Sequence, residues 1–311
     1  MTIADASGTR LAYVAESTEG TTPSSPSFNV LRYKSNSLAA PKEYIKSEEI
    51  RADRNTSDFI IVGEKVQGSI AGELSYGTYD DILAGLLCGS WSSDVLKNGI
   101  ARNSFTFENT FEQGGTDSFL RYKGCLIGRA TFSLKPKQIA EISFDVLGRS
   151  GDDGAAAALS GATYTAANTN PVLNAANHVS ALTLSTLSGT PIFTSLELTI
   201  TNNLYEQPQV GSQALAGIGL GAFDVMVKGE VYFEDIELYN AIRSGDTVAL
   251  TCTIGAASGS IYTIEIPSLK LLNGSPEVPG NNQPVILPFD AGAKFNSSDS
   301  ASIKITRAVT A

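Results

Sequence analysis

Val66-Gln67-Gly68-Ser69-Ile70-Ala71-Gly72-Glu73-Leu74-Ser75-Tyr76 alternates without a break. Val66, Gly68, Ile70, Gly72, Leu74 and Tyr76 fall on one face; Gln67, Ser69, Ala71, Glu73 and Ser75 fall on the other. A period of two is the pleat of a β-strand with one packed and one wetted side. The same alternation recurs in Ala140–Val146, where Glu141, Ser143 and Asp145 form the polar side, and in Leu196–Thr201, with Glu197, Thr199 and Thr201. Further short runs between Gly, Pro, Asn and Ser predict strands near 28–34, 104–111, 129–134, 180–187, 247–254, 261–266, 269–272, 284–289 and 302–308. The fold class is therefore mainly β.

Directly after the quoted stretch, Thr78-Tyr79-Asp80-Asp81 has the form of a helix start, with Thr78 as the capping residue and two acids at the positive helix end. Tyr79, Ile82, Leu83, Leu86 and Leu87 follow helical spacing, and Gly89 is the expected stop. This unit is repeated. Phe223–Phe233 alternates like the first strand and carries Gly229-Glu230 where the first carries Gly72-Glu73. Glu234-Asp235-Ile236 follows as Asp80-Asp81-Ile82 does, and Gly245 ends the segment. Phe144-Asp145 has a counterpart in Phe289-Asp290. The order predicts two tandem β-sandwich or barrel domains, residues 1–150 and 179–311, each with one short flanking helix. Residues 151–178, rich in Gly, Ala, Asn and Thr, read as a linker or surface excursion.

Composition narrows the function. The 311 residues carry 22 Lys and Arg against 32 Asp and Glu, a formal charge of -10. Residues 1–150 hold 16 basic and 18 acidic side chains and residues 151–311 hold 6 and 14, so most of the excess lies in the second half. Gripping nucleic acid requires clustered cations, so a DNA-holding protein is disfavoured. A single histidine, His178, leaves no His-His metal pair and reads as a surface residue. Cys88, Cys125 and Cys252 are odd in number, widely spaced and set in apolar surroundings, which predicts buried thiols. Met1–Leu11 lacks the apolar core of a secretory leader, and no apolar run approaches the ~18 residues of a membrane span. The expectation is a soluble chain that remains where it is made.

Candidate chemistry is sparse. Asp80, Asp81 and Glu73 could form a carboxylate site, but a helix start beside a strand accounts for them. Gly151-Asp152-Asp153-Gly154 lacks the spaced oxygen ligands of a calcium loop. Gly217-Ile218-Gly219-Leu220-Gly221 precedes a strand and lacks the Lys-Ser/Thr ending of a phosphate loop. No catalytic, cofactor-binding or metal-binding residue is nominated. Lys42–Glu64 is the most charged stretch. It reads either as a solvated loop or as a docking loop whose Lys46, Glu48, Glu49, Arg51, Asp53 and Arg54 fix register against a copy of the same protein.

Leu11-Ala12-Tyr13-Val14-Ala15-Glu16 with Gly20-Thr21-Thr22-Pro23, Leu31-Arg32-Tyr33, Ser47–Arg54, and Gly72–Asp81 together resemble the major tail tube protein of long, non-contractile tailed bacteriophages. The resemblance is strong over residues 11–90 and looser beyond. It implies a virion tail protein assembled in the host cytoplasm, with no enzymatic activity, cofactor or membrane association. It also implies stacked rings enclosing a channel for DNA, and tail tip, tape-measure and tail terminator proteins as partners. The Gly72-Glu73 strand would line the tube, so alternation assigns Gln67, Ser69, Glu73, Ser75 and Glu230 to the lumen. The Tyr79–Leu87 helix would brace the outside, and Lys42–Glu64 would stack the rings. Such tubes are often sixfold with one domain per subunit. The duplication points instead to three chains per ring with pseudo-sixfold symmetry, with a hexamer as the second choice. Competing readings are a surface or secreted adhesin, which should carry a leader or anchor, and a carbohydrate-active enzyme, which should cluster aromatics and paired carboxylates around a cleft.

Overall fold

A computed structural model describes residues 3–309 apart from Thr186 and Ser188. Met1 and Thr2 of the stretch read for a leader, and Thr186 of the strand expected near 180–187, lie outside the described residues. The first half contains β1 (Thr9–Ala15), β2 (Ser27–Val30), β3 (Ser35–Asn36), β4 (Lys42–Lys46), β5 (Phe59–Glu64), β6 (Val66–Glu73), α1 (Asp80–Leu86), β7 (Val95–Lys97), β8 (Phe105–Phe111), β9 (Ser118–Leu134) and β10 (Glu141–Gly148). Then come β11 (Ser150–Gly151) and β12 (Thr163–Thr165). The second half contains β13 (Val179–Leu184), β14 (Phe193–Thr201), β15 (Tyr205–Gln207), β16 (Gly217–Gly219), β17 (Asp224–Tyr232), α2 (Glu237–Ser244), β18 (Thr247–Ala257), β19 (Ser260–Gly274), β20 (Ile286–Ala293) and β21 (Lys304–Val309). The chain is mainly β, as its alternation requires.

The long strand β9 serves two sheets. Its first part pairs with β8, which pairs with β1; its second part pairs with β10, which pairs with β6, which pairs with β3. Gly124, at φ 62°, lies within this strand, where a Cβ would run into Arg149. The second half repeats this order of pairing: β13 with β18, β18 with β19, β19 with β20, β20 with β17, and β17 with β14. Helix α1 packs on β9 and α2 on β19. A hairpin stands at the same place in each half, β4–β5 before β6 and β15–β16 before β17. Two pairings cross between the halves: β7 with β21, from Val95 opposite Thr306 to Lys97 opposite Lys304, and β14 with β9, from Leu196 opposite Leu134 to Thr201 opposite Arg129. The β9–β14 seam joins both halves into one sheet, and one contiguous core runs beneath it.

Several local expectations are corrected. Thr78 does not cap the helix; its Oγ1 lies 2.5 Å from Ser75 Oγ and accepts from Asn168 Nδ2 at 3.0 Å. Gly89 does not supply the left-handed stop, since Cys88 takes the positive φ of 48°. A side chain at Gly89 would collide with the Lys97 carbonyl, so close approach is its role. Gly245 behaves as expected, ending α2 at φ 67°. The segments expected near 261–266 and 269–272 are one strand, β19. The Phe289 counterpart of Phe144 is offset by two positions, because Phe144 opposes Ile70 whereas Phe289 opposes Gly229. An offset of two preserves the face.

Of residues 151–178, expected to behave as a linker, 151–175 lie as a strap on the first half. β12 runs parallel to β2, Tyr164 stacks on Phe28, and Leu173 is fully buried. Beneath the strap Glu108 and Arg121 form a buried ion pair at 2.7 Å. Tyr164 Oη donates to the same carboxylate at 2.6 Å, and Arg121 Nη2 donates to the Ala157 carbonyl at 3.0 Å. Burial, then the bond to Glu108, pushes the Tyr164 hydroxyl up to about 12.

All three cysteines are free and buried, as the sequence predicts. Burial pushes the Cys252 thiol up to about 12 and raises Cys88 and Cys125 as well. The thiolate is the reactive form, so folded protein at pH 8 should resist iodoacetamide and react fully only in denaturant. Rapid labelling of any of the three in folded protein would contradict this packing.

Candidate functional site

Two features project from this frame: a polar sheet face and a free-standing arm. The sheet order β3-β6-β10-β9-β14-β17-β20-β19 aligns its side chains in rows that cross both halves. Glu73 opposes Glu141, Glu141 opposes Ser133, Ser133 opposes Glu197, Glu197 opposes Lys228, Lys228 opposes Asp290 and Asp290 opposes Asn273. A second row reads Ala71, Ser143, Thr131, Thr199, Met226 and Gly292. A third reads Ser69, Asp145, Arg129, Thr201 and Asp224. Between them, on the other face, Gly72, Ile142, Phe132, Leu198, Val227, Ala291 and Leu271 form one buried row against the core.

Period-two alternation builds both faces at once, because each strand delivers every second side chain to the same side. The core side is covered by α1, whose Ile82, Leu83 and Leu86 are buried. Gly72 admits the Tyr79 hydroxyl, where any Cβ would overlap it. That hydroxyl donates to the Arg32 carbonyl at 2.8 Å, and burial pushes it up to about 12. On the polar side carboxylates outnumber cations. An open hollow of about 660 Å³ lies there, lined by Ser133, Glu197, Lys228, Glu230, Asn273 and Asp290 among others. Among the described residues Phe289 is its one aromatic lining residue, beside the carboxylates of Glu197, Glu230, Glu277 and Asp290.

The sequence-nominated channel residues divide. Gln67 is exposed, Glu73 and Glu230 are half-buried, and Ser69 is half-buried with its Oγ 3.2 Å from Ser37 Oγ. Ser75 does not share this face. The strand ends at Glu73, and Ser75 is fully buried, bonded to Thr78 and accepting from Arg32 Nη1 at 3.2 Å. Gly77, at φ 72°, turns the chain there, and Ser75 bridges Val172 of the strap. The rows add Arg129, Glu141, Asp145, Glu197, Asp224, Lys228 and Asp290, whose signal is the same alternation in their own strands. Asp80 and Asp81, weighed as a carboxylate site with Glu73, hold the fold instead. Asp80 pairs with Arg307 at 2.6 Å and accepts from Tyr262, while Asp81 accepts from Tyr13 Oη at 2.9 Å. His178 is half-buried, its Nδ1 accepting from the Asn174 amide at 3.0 Å.

The charged stretch is an arm and not a plain loop. β4 and β5 pair only with each other, outside the large sheet. Lys46, Glu48, Glu49, Arg51, Asp53 and Arg54 are all exposed towards its tip. Arg51 grips Asp53 through two bonds, at 3.0 and 2.9 Å, which holds the Asp53 carboxyl well below the usual carboxylate range. The remaining named charges carry no such mutual pairing in the tip. At the root, Glu64 is buried and paired with Lys42, and its amide donates to the Gln213 carbonyl at 2.9 Å. Lys65 bridges Glu43 at 3.3 Å and Glu206 at 2.8 Å.

The fold thus offers a β scaffold whose order of pairing repeats, one polar sheet face spanning both halves and a projecting arm. A family model described as phage tail tube protein matches residues 6–293, and the chain belongs to that family. It is thus a structural virion protein of the bacteriophage tail that self-assembles into a tube. No curated protein matches the chain. Among the described residues no helix is long and apolar enough to cross a membrane.

Proposed function

We propose that three chains close into a ring of six sandwich units, residues 1–150 and 179–311 of each, and that the rings stack into a tube whose lumen is the polar sheet face. The observation that carries this reading is the row from Glu73 to Asn273, which crosses both halves without interruption on the side opposite α1. The β9–β14 seam supplies a template for closure. Each half brings one short or free edge, and within the chain β14 of one half fills the edge of β9 in the other. The equivalent groups left over are β3, which pairs with β6 alone, and β19 beyond Lys270, where pairing with β18 ends. An unpaired edge is an aggregation hazard that closure removes, so β3 of one copy meets β19 of the next.

An acidic and hydroxyl-lined wall lets DNA slide, because it offers phosphate few cations to replace its counterions. DNA passes through during ejection without specific binding. Assembly takes place in the host cytoplasm, and tail tip, tape-measure and terminator proteins contact the ends. The arm stacks each ring on the next. Deleting Ser47–Thr56 removes the tip but no core residue, so the variant should form folded rings that fail to elongate, as read by light scattering and electron microscopy. Normal tubes from the deletion would return the tip to a solvated loop. The reading as a whole is tested by negative-stain imaging of purified protein: hollow tubes are expected, and dispersed monomers under every assembly condition would refute it.

A further inference from the structure

The arm carries more than charge. Its register places Ile45 opposite Ile60 on one face, and Tyr44 opposite Ile61 with Lys46 opposite Phe59 on the other. Both faces are apolar, and neither is covered by the chain: Tyr44 is 60% exposed, Ile45 58%, Phe59 63% and Ile60 52%. With Ile61 and Val62, the exposed apolar area is on the order of 600 Å² over the two faces, so each face alone, at about 300 Å², reaches the size of a monomer's largest patch. A two-stranded ribbon in water is marginally stable, and this one has no third strand and no core of its own. A single apolar face would mark an arm lying on a surface. Two opposed faces require cover on both sides.

We propose that the β4–β5 arm is a two-faced staple that inserts between two copies of this chain in the adjoining ring, one copy closing on each face. The inference rests on the reading that the arm stacks rings, and adds how it does so. The occupants are copies of this chain because the protein self-assembles, and because each face offers only about 300 Å², well short of the ~800 Å² per partner of a stand-alone interface, which suits a contact repeated by every chain around a ring. Two copies are needed because the halves of one chain are already sealed together by the β9–β14 seam and its continuous core. A slot with two walls therefore occurs where one copy meets the next. The equivalent hairpin of the second half does not compete for this role: Ile218 of β16 is buried with Leu215 against Leu126 of β9. Each chain thus offers one staple for its two sandwich units, and rings should index in steps of a whole chain.

The test uses two variants of the full chain, Ile45→Ser with Ile60→Ser for one face and Tyr44→Ser with Ile61→Ser for the other. All four side chains are exposed, so both proteins should keep the parent melting temperature and still form rings by mass measurement. Each variant alone should raise the critical concentration for elongation by at least about tenfold, since each removes two apolar side chains that the adjoining copy would bury. Normal elongation by one variant, with the other impaired, would show an arm resting on a single surface and overturn the staple while leaving ring stacking intact. Normal elongation by both, together with normal tubes from the Ser47–Thr56 deletion, would overturn the stacking role itself. A second readout does not depend on assembly yield. Chains carrying Ile45→benzoylphenylalanine and Ile61→benzoylphenylalanine together, diluted about twentyfold into parent protein and irradiated in tubes, should give three-chain products. Products of no more than two chains would contradict two walls.

Discussion

Tubes assembled from the Glu73→Lys, Glu230→Lys double variant should be intact yet release DNA poorly at low salt. Both side chains lie on the polar face and neither fills the core, so the fold should tolerate the change. Each substitution alters the charge by two, so the pair alters it by four per chain. Repeated around each ring and along every stacked ring, the new cations face a duplex carrying one negative charge per ~1.7 Å. Even weak attraction per site then sums along the tube. Ejection at roughly 50 mM salt should slow by at least about tenfold and recover at roughly 200 mM and above, because counterion release loses its advantage as salt rises. Parent-like ejection at low salt, from tubes verified as intact, would mean that these residues do not face the channel.

The largest stability effect is expected beneath the strap, from Glu108→Ala. Glu108 is fully buried and answers both Arg121 and Tyr164, so its loss leaves a buried guanidinium without its charged partner and a half-buried hydroxyl without its acceptor. Breaking one partner of a buried ion pair typically costs about 3–5 kcal/mol. At a few degrees per kcal/mol, the melting temperature should fall by roughly 10 °C. Because Tyr164 ties β12 to the sheet, limited proteolysis should also cut first within residues 151–175. A change of less than about 2 °C would mean that the network is dispensable.

What the sequence made legible was local. The alternation in Val66–Glu73 and the repeat around Gly229-Glu230 are written in neighbouring residues, and they carry the fold class, both helices and the strand β6 with its polar face. Ser75 was misplaced because alternation continues in the letters past Glu73, whereas the Gly77 turn and the Val172 bridge end it in space. Charge dominates a sequence reading of the arm because its tip is charged; the signal for its strands is the continuous apolar run Phe59–Val62, which period-two alternation does not pick out. The β9–β14 seam and the strap over Glu108 depend on pairings between residues tens of positions apart, which no local period encodes. The two-position offset between Phe144 and Phe289 is of the same kind, since register is set across strands.

Rotationally averaged cryo-electron microscopy of the assembled tube tests the central claim most directly. The account predicts three chains per ring and six sandwich units, with the row from Glu73 to Asn273 facing the channel, the α1 side turned outward, and β9–β14 seams alternating with β3–β19 junctions between copies. Six chains per ring, or a channel lined by the helices instead of the polar sheet face, would contradict it.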